Sequence, residues 1–132
     1  MSNCGTASKH LASPPAYQLS PEERLVSVTF SAQLSIRDIE EYVAALCAHP
    51  LFDPTFAEIV DLTQVEEIQF SPEDTVVLAD VVDPFSTGAR RAFVARTGPQ
   101  IHAARLHQVL RGDQDNIRIF PSIADAKRWI NS

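Results

Sequence analysis

Cysteine is scarce in this chain: Cys4 and Cys47 are the only two, one in a polar opening stretch and the other within a helical pattern. A scaffold stapled by disulfides needs more of them, so that class is not expected, and a reducing compartment fits. Cys47 reads as a packing residue, since no basic group lies near it in sequence to activate a thiolate. No apolar run approaches the ~18 residues that cross a bilayer. Met1 to His10 is polar, so a signal peptide is not expected either, and the chain reads as soluble and cytoplasmic. Positive charge is also short, with 11 Lys and Arg against 17 Asp and Glu and a net charge of −6. That argues against nucleic acid as a partner, because phosphate binding needs a basic surplus on one surface.

The usual marks of catalysis are missing as well. There is no Gly-rich phosphate loop and no Gly-x-Ser-x-Gly elbow for a nucleophile. His102 and His107 are five apart on a helical pattern and diverge too far to share a metal, while His10 and His49 have no paired ligand nearby. No metal and no cofactor are therefore implied, and the expectation is that the protein is not an enzyme.

What the chain does contain is a set of helix starts. Ser35/Asp38, Ser71/Asp74, Thr97/Gln100 and Ser122/Asp125 each place a hydroxyl three residues before an acid or amide. The hydroxyl can accept from an amide of the first turn while the later side chain reaches back to the cap's own N–H. The same spacing at Ser20/Glu23, Thr55/Glu58 and Thr63/Glu66 is set aside, because the residues that follow read as strand or loop. Each of the four retained starts follows a β-rich or turn segment, which produces an alternating order.

At 132 residues the chain suffices for one self-supporting core. Residues 1 to 15 read as a mobile tail. Tyr17–Leu19 and Arg24–Ser31 read as a hairpin around Ser20-Pro21-Glu22-Glu23, with Val26, Val28 and Phe30 on one face. Helix one follows from Ser35 to His49-Pro50, with Leu34 and Ile39 as a staple across the cap and Ile36, Ile39, Val43 and Leu46 as its buried stripe. Phe56–Leu62 reads as a strand and Thr63–Gln69 as a loop. Helix two begins at Ser71 and runs through Val76, Val77, Leu78, Val81 and Val82 towards Pro84. Arg91–Ala95 reads as a central strand covered on both faces. Helix three spans Pro99–Arg111 and is closed by Gly112. Asn116–Phe120 is the last strand, and the helix after Ser122 turns Ile123, Ala126, Trp129 and Ile130 inward. The fold class is thus α/β, a mixed sheet of about five strands with about four helices.

Charge is unevenly spread. Residues 1 to 89 hold 3 basic and 14 acidic side chains, and residues 90 to 132 hold 8 basic and 3 acidic. Two consequences are open: the halves interleave and neutralise each other, or a dipolar surface drives self-association into a salt-sensitive homodimer.

Several segments, in this order, resemble the SpoIIAA-like branch of the STAS families, small bacterial domains with a STAS/CRAL-TRIO type of fold. They are His49-Pro50-Leu51-Phe52-Asp53-Pro54, Ile59-Val60-Asp61-Leu62-Thr63-Gln64-Val65, Arg91-Ala92-Phe93-Val94-Ala95, and Ile117-Arg118-Ile119-Phe120 followed by Ala126 and Trp129. The resemblance spans about Tyr17 to Ile130 and implies one domain over residues 16 to 132. In the phosphorylated antagonists of these families a strand ends in an Asp-Leu-Ser-like turn, and a phosphorylatable Ser opens a helix about ten residues on. Asp61 and Ser71 stand in those places by order. Pro72-Glu73-Asp74 departs from that pattern, and two carboxylates would repel a phosphate, which favours a simple cap at Ser71.

The candidate ligand or interaction residues are accordingly Asp61, Thr63, Ser71, Arg96 and Thr97. All but Ser71 fall at strand ends followed by helix starts, the edge where open α/β sheets bind ligands, and Arg96 beside helix amides suits an anion. The resemblance implies a noncatalytic protein-interaction or regulatory module that binds a partner or itself. Its CRAL-TRIO side, with the apolar second helix and Phe85, implies as an alternative a carrier of a small apolar ligand, which requires a pocket of about 300 Å³ or more.

Overall fold

The computed structural model describes residues 15–80, 83–112 and 116–132. The tail expected over residues 1 to 15 lies, up to residue 14, outside the described residues, as do Val81 and Val82 of the second helix. The first strands are β1 (Ala16–Ser20) and β2 (Leu25–Thr29), an antiparallel hairpin. Arg24 was expected to open the second of these. Instead it takes a left-handed φ of 53° and donates its backbone N–H to Pro21 O at 3.2 Å, so it ends the turn and pairing starts at Leu25. A non-glycine residue in this region stores about 1–2 kcal/mol, which the surrounding hairpin holds in place.

The chain continues through β3 (Gln33–Ser35), α1 (Ile36–Ala48), β4 (Ala57–Asp61), β5 (Glu67–Gln69) and α2 (Pro72–Asp80). It ends with β6 (Arg91–Val94), α3 (Gly98–Arg111), β7 (Ile117–Phe120) and α4 (Ile123–Ile130). The five-stranded sheet has the order β1-β2-β4-β6-β7, parallel throughout except for β1. β4 is its middle strand, and β6 pairs on both sides with β4 and β7, which is why every residue from Arg91 to Val94 is buried. The expected loop over Thr63–Gln69 contains β5. That strand pairs in parallel with β3 once the N–H groups of Glu66 and Glu67 have donated to Ala32 O at 2.8 and 2.9 Å. Three-residue strands carry too little periodicity to be read from sequence.

The four helix starts are built as their chemistry requires. Ser35 with Asp38 and Thr97 with Gln100 form reciprocal capping boxes, and the Ser122 hydroxyl accepts from the Asp125 N–H at 3.1 Å. Gly112 closes α3 with φ 67°. Cys47 departs from expectation: it is half-buried in α1 and disulfide-bonded, not a free thiol in the core. Cys4 lies outside the described residues.

Alternation along the parallel strands separates two cores. Val26, Val28, Val60, Phe93 and Ile117 point to one face, where Tyr42 and Leu46 of α1 and Ala104 of α3 cover them. Leu25, Ile59, Ala92 and Val94 point to the other, which α4 covers with Ala126, Trp129 and Ile130. Trp129 is half-buried, its ring 5.6 Å from Phe120, with the Arg90 and Arg118 guanidinium groups 5.4 and 5.2 Å from its centroid. Arg90 also donates from Nη1 to Trp129 O at 2.7 Å. Truncating Trp129 to Ala removes the ring and both cation–π contacts, and urea unfolding should show a loss of about 3 kcal/mol. A change below about 0.5 kcal/mol would mean that α4 is held by something else.

Candidate functional site

The strand ends where ligands were expected hold Asp61, Thr63, Arg96 and Thr97, but these groups are engaged with one another and with nearby backbone. Asp61 Oδ1 accepts from the Thr63 N–H at 2.9 Å and from its hydroxyl at 2.7 Å. Gln100 Oε1 accepts from the backbone N–H groups of Arg96 and Thr97 at 2.8 and 3.1 Å. The buried Gln100 amide then donates from Nε2 to Val65 O at 2.9 Å and to Thr63 O at 3.3 Å. Arg96 Nε donates to Pro121 O at 3.0 Å. One glutamine thus ties the β4 turn to the α3 start, so this edge works as a structural clasp. Ser71 is bound locally: its N–H donates to Asp74 Oδ2 at 2.9 Å, and its hydroxyl accepts from the Asp74 N–H at 3.1 Å. That is a capping box.

The concave site lies elsewhere, on the sheet face beneath α1, α2 and α3. It is a cavity of about 70 Å³. Phe30, Leu34, Val60, Leu62 and Phe93 form its apolar side, Phe70 and Leu78 approach from the α2 side, and Ala103, His107 and Arg111 line it at four-residue intervals along one face of α3. At its other end, near the start of β4 and β6, lies a network of charged groups that sequence reasoning did not single out.

Glu58 on β4 and Arg91 on β6 are partners in register, so their side chains share the covered face. They are 2% and 5% exposed. Arg91 Nε donates to Glu58 Oε1 at 2.9 Å, and Tyr42 of α1 donates its hydroxyl to Glu58 Oε2 at 2.6 Å. Arg91 Nη1 donates to Asp83 Oδ2 at 2.7 Å, and the same Asp83 fixes its own loop by accepting from the Phe85 N–H at 3.1 Å. The Phe85 ring sits against the guanidinium at 4.7 Å from its centroid, and Arg111 Nε approaches Asp83 Oδ2 at 3.8 Å.

Burial, the Glu58 charge and the hydrogen bond to it push the Tyr42 hydroxyl well above its ordinary pKa. For Arg91 burial acts downward, but the charges of Glu58 and Asp83 outweigh it and the guanidinium is held charged more firmly than usual. These carboxylates and cations saturate each other instead of converging on an empty point.

His107 is different. Its ring is tilted against Phe93 at 5.0 Å between centroids, and Nε2 is sealed from solvent with no hydrogen-bond partner among the described residues. Burial first, then the charges of Arg91 and Arg111, lower its pKa to about 3, so the imidazole is neutral at pH 7.

The signal for this network was present in the sequence as two opposite charges inside otherwise apolar strands, Glu58 and Arg91. Neither belongs at a fully covered position unless paired. A second hollow, of about 530 Å³, is open and polar, bordered by Ser31, Asp38, Glu66, Glu67 and Gln69.

Two outcomes follow from the network. Arg91→Met leaves Glu58 buried without its cation and should cost about 3–5 kcal/mol, whereas Glu58→Leu combined with Arg91→Met should recover most of that loss. A denaturant-based double-mutant cycle reads the difference, and additive single losses would show that the two side chains are not coupled.

The second outcome concerns pH. Because the folded pKa of His107 lies below the unfolded value near 6.5, the unfolded chain binds the proton first as pH falls. The wild type should therefore lose up to about 1.4 kcal/mol per pH unit from this group between about pH 6.5 and 3. His107→Phe should flatten that slope, and equal slopes in the two proteins would refute the assignment.

No family model matches the chain, and no curated protein does. A solved structure does match: an uncharacterised protein of the DUF3478 family with a SpoIIAA-like fold from Shewanella loihica PV-4. It aligns over 96% of this chain and 99% of its own at a TM-score of 0.56 and 17% identity. At that identity the match speaks to architecture alone. The chain has a SpoIIAA-like fold, with a mixed five-stranded sheet and four helices among its described residues.

Proposed function

We propose that the domain is a noncatalytic protein-interaction or regulatory module whose contact surface is the outer face of α2. The observation that carries this reading is the way α2 disposes its aliphatic residues. Leu78 is buried, but Val76 and Val77 are 64% and 42% exposed. A helix packed only against its own domain turns its aliphatic side chains inward. α2 shows them on both sides, directly after the capped start at Ser71. The absence of catalysis rests on the saturated network, in which each carboxylate near the cavity already holds a cation or a hydroxyl.

The charge asymmetry bears on the kind of partner. Part of it is neutralised internally, since Arg91 and Arg111 from the basic half meet Glu58 and Asp83 from the acidic half. The remainder supports self-association, in which the acidic part of one copy meets the basic part of another. The second reading, a carrier of a small apolar ligand, is favoured by the apolar side of the cavity. At about 70 Å³ that cavity is well below the ~300 Å³ of pockets that enclose drug-sized molecules, which limits any such ligand to a few non-hydrogen atoms.

Sedimentation at about 0.02 M and about 1 M salt should show a homodimer that weakens as screening increases. Replacing Val76 and Val77 with Lys should abolish the dimer while leaving the melting temperature nearly unchanged. A monomer under every condition would eliminate self-association, and a dimer indifferent to the valine changes would place the contact elsewhere. Ser71 is tested in the same assay. Ser71→Ala should lower stability by about 1 kcal/mol and Ser71→Asp by little, because Asp is itself a good cap. Loss of association in Ser71→Asp alone would make Ser71 a charge-operated switch.

A further inference from the structure

We propose that the partner of the outer face of α2 is a second copy of this chain, which receives it on the exposed stripe of α3 formed by His102, Arg105 and Val109. This deepens the self-association reading above and rests on it. A two-fold axis between the copies makes the contact twice, with α2 of each chain against α3 of the other.

α2 presents the acidic half. Glu73, Val76 and Asp80 follow one another at spacings of three and four, so they form one stripe with Val77 at its side, and all four are exposed. The buried Leu78 lies on the opposite side of the helix. Over its whole length α2 carries the acids Glu73, Asp74 and Asp80 and no base.

α3 presents the basic half. His102, Arg105 and Val109 repeat the same spacings on the side turned away from the cavity-lining Ala103, His107 and Arg111, and all three are exposed. α3 holds Arg105 and Arg111 and no acid. Arg111 approaches Asp83, whereas Arg105, like Glu73 and Asp80, enters none of the ion pairs among the described residues.

The two stripes are available to one neighbour. Both helices line the cavity with their inner faces, so they lie on the same side of the sheet and turn their outer faces to the same solvent. Val76, Val77 and Val109, the last 66% exposed, are three of the five exposed large apolar side chains among the described residues. Apolar side chains gathered on one side and rimmed by charge mark a contact surface. Charge then selects what meets what. α2 against α2 would bring acid to acid, and α3 against α3 would bring Arg105 to itself, whereas α2 against α3 opposes unlike charges.

Spacing selects the pairs. Val76 and Asp80 stand one turn apart, about 6 Å at 1.5 Å per residue, and so do Val109 and Arg105. With the helices antiparallel, Val109 on Val76 puts Arg105 on Asp80.

Sedimentation of the intact chain tests this. Arg105→Glu or Asp80→Lys alone sets like charges together at two places in the dimer and should raise its Kd at least about tenfold. Added salt should strengthen what remains of either variant dimer, the reverse of the wild type. An equimolar mixture of the two variants should dimerise with about the wild-type affinity, because one contact keeps Asp80 on Arg105 and the other opposes the two introduced charges. Both changes in one chain should do the same, which tests the pair even if one single variant does not fold. Val109→Asp should abolish the dimer.

A mixture that stays monomeric, while Lys at Val76 and Val77 still breaks the wild-type dimer, would overturn the α3 docking and leave α2 as the contact surface. A dimer indifferent to changes on either helix would overturn both. A wild type monomeric at every concentration and salt level would overturn the second copy as partner and leave the face of α2 to a different protein.

Discussion

The buried pair of Glu58 and Arg91 is the constraint on which the covered face of the sheet depends. Two charges directly opposite one another on neighbouring parallel strands tolerate no slip of register, because a shift by one residue would send one of them to the α4 face and leave the other unpaired. Each then recruits a second partner from outside the sheet. Glu58 takes the Tyr42 hydroxyl from α1, and Arg91 takes Asp83 from the segment after α2. Two strands, a helix and a loop are thereby aligned by four side chains. Such a network adds little net stability over a well-packed apolar alternative, since desolvation consumes most of the Coulombic gain. What it supplies is a single arrangement, in which the loop carrying Phe85 is held against the guanidinium at one distance.

How much of this was legible in the sequence depends on the range of the interaction concerned. Ser35, Thr97, Ser71 and Ser122 were found because a cap and its partner lie three residues apart, and local spacing is what a sequence displays. Trp129 and the Arg91–Val94 strand were found because apolar density survives without knowledge of neighbours. The hairpin was right in outline, but its second strand was started one residue too early, since the left-handed backbone of Arg24 leaves no mark in residue type. β3 and β5 escaped because strands of three residues are defined by their pairing across 34 positions, not by their own periodicity. The Glu58–Arg91 pair escaped for the same reason, although a charge inside an apolar strand is a warning that a partner must exist.

The strand ends where the candidate site was sought are already engaged, and the reason is physical. Strand ends followed by helix starts expose amides and hydroxyls, and in many α/β domains those groups wait for a ligand. Here Gln100 engages them first: its side-chain oxygen accepts from two backbone N–H groups and its amide reaches the carbonyls of Thr63 and Val65. Sequence places Gln100 correctly in a capping box but cannot show that its other end crosses to another turn. The space left unfilled is on the sheet face, where bulky residues from α1 and α3 meet charged groups that must be kept paired.

α2 connects the two readings of the domain. Its inner side, through Leu78, borders the cavity, and its outer side shows Val76 and Val77 to solvent. The segment that follows it is fastened at Asp83 by Arg91, and its start is fastened at Ser71 by a cap, so the helix is held at both ends and lightly covered between them. An occupant of the cavity would press on the inner side of the same helix whose outer side is the proposed contact surface. A ligand shifts such an equilibrium only by the difference in its affinity for the two positions of the helix. A small apolar guest therefore acts on association only insofar as it touches Leu78 more closely in one position of the helix than in the other. On that geometry the inner contact of α2 through Leu78 is the route by which occupancy of the cavity would reach the outer face.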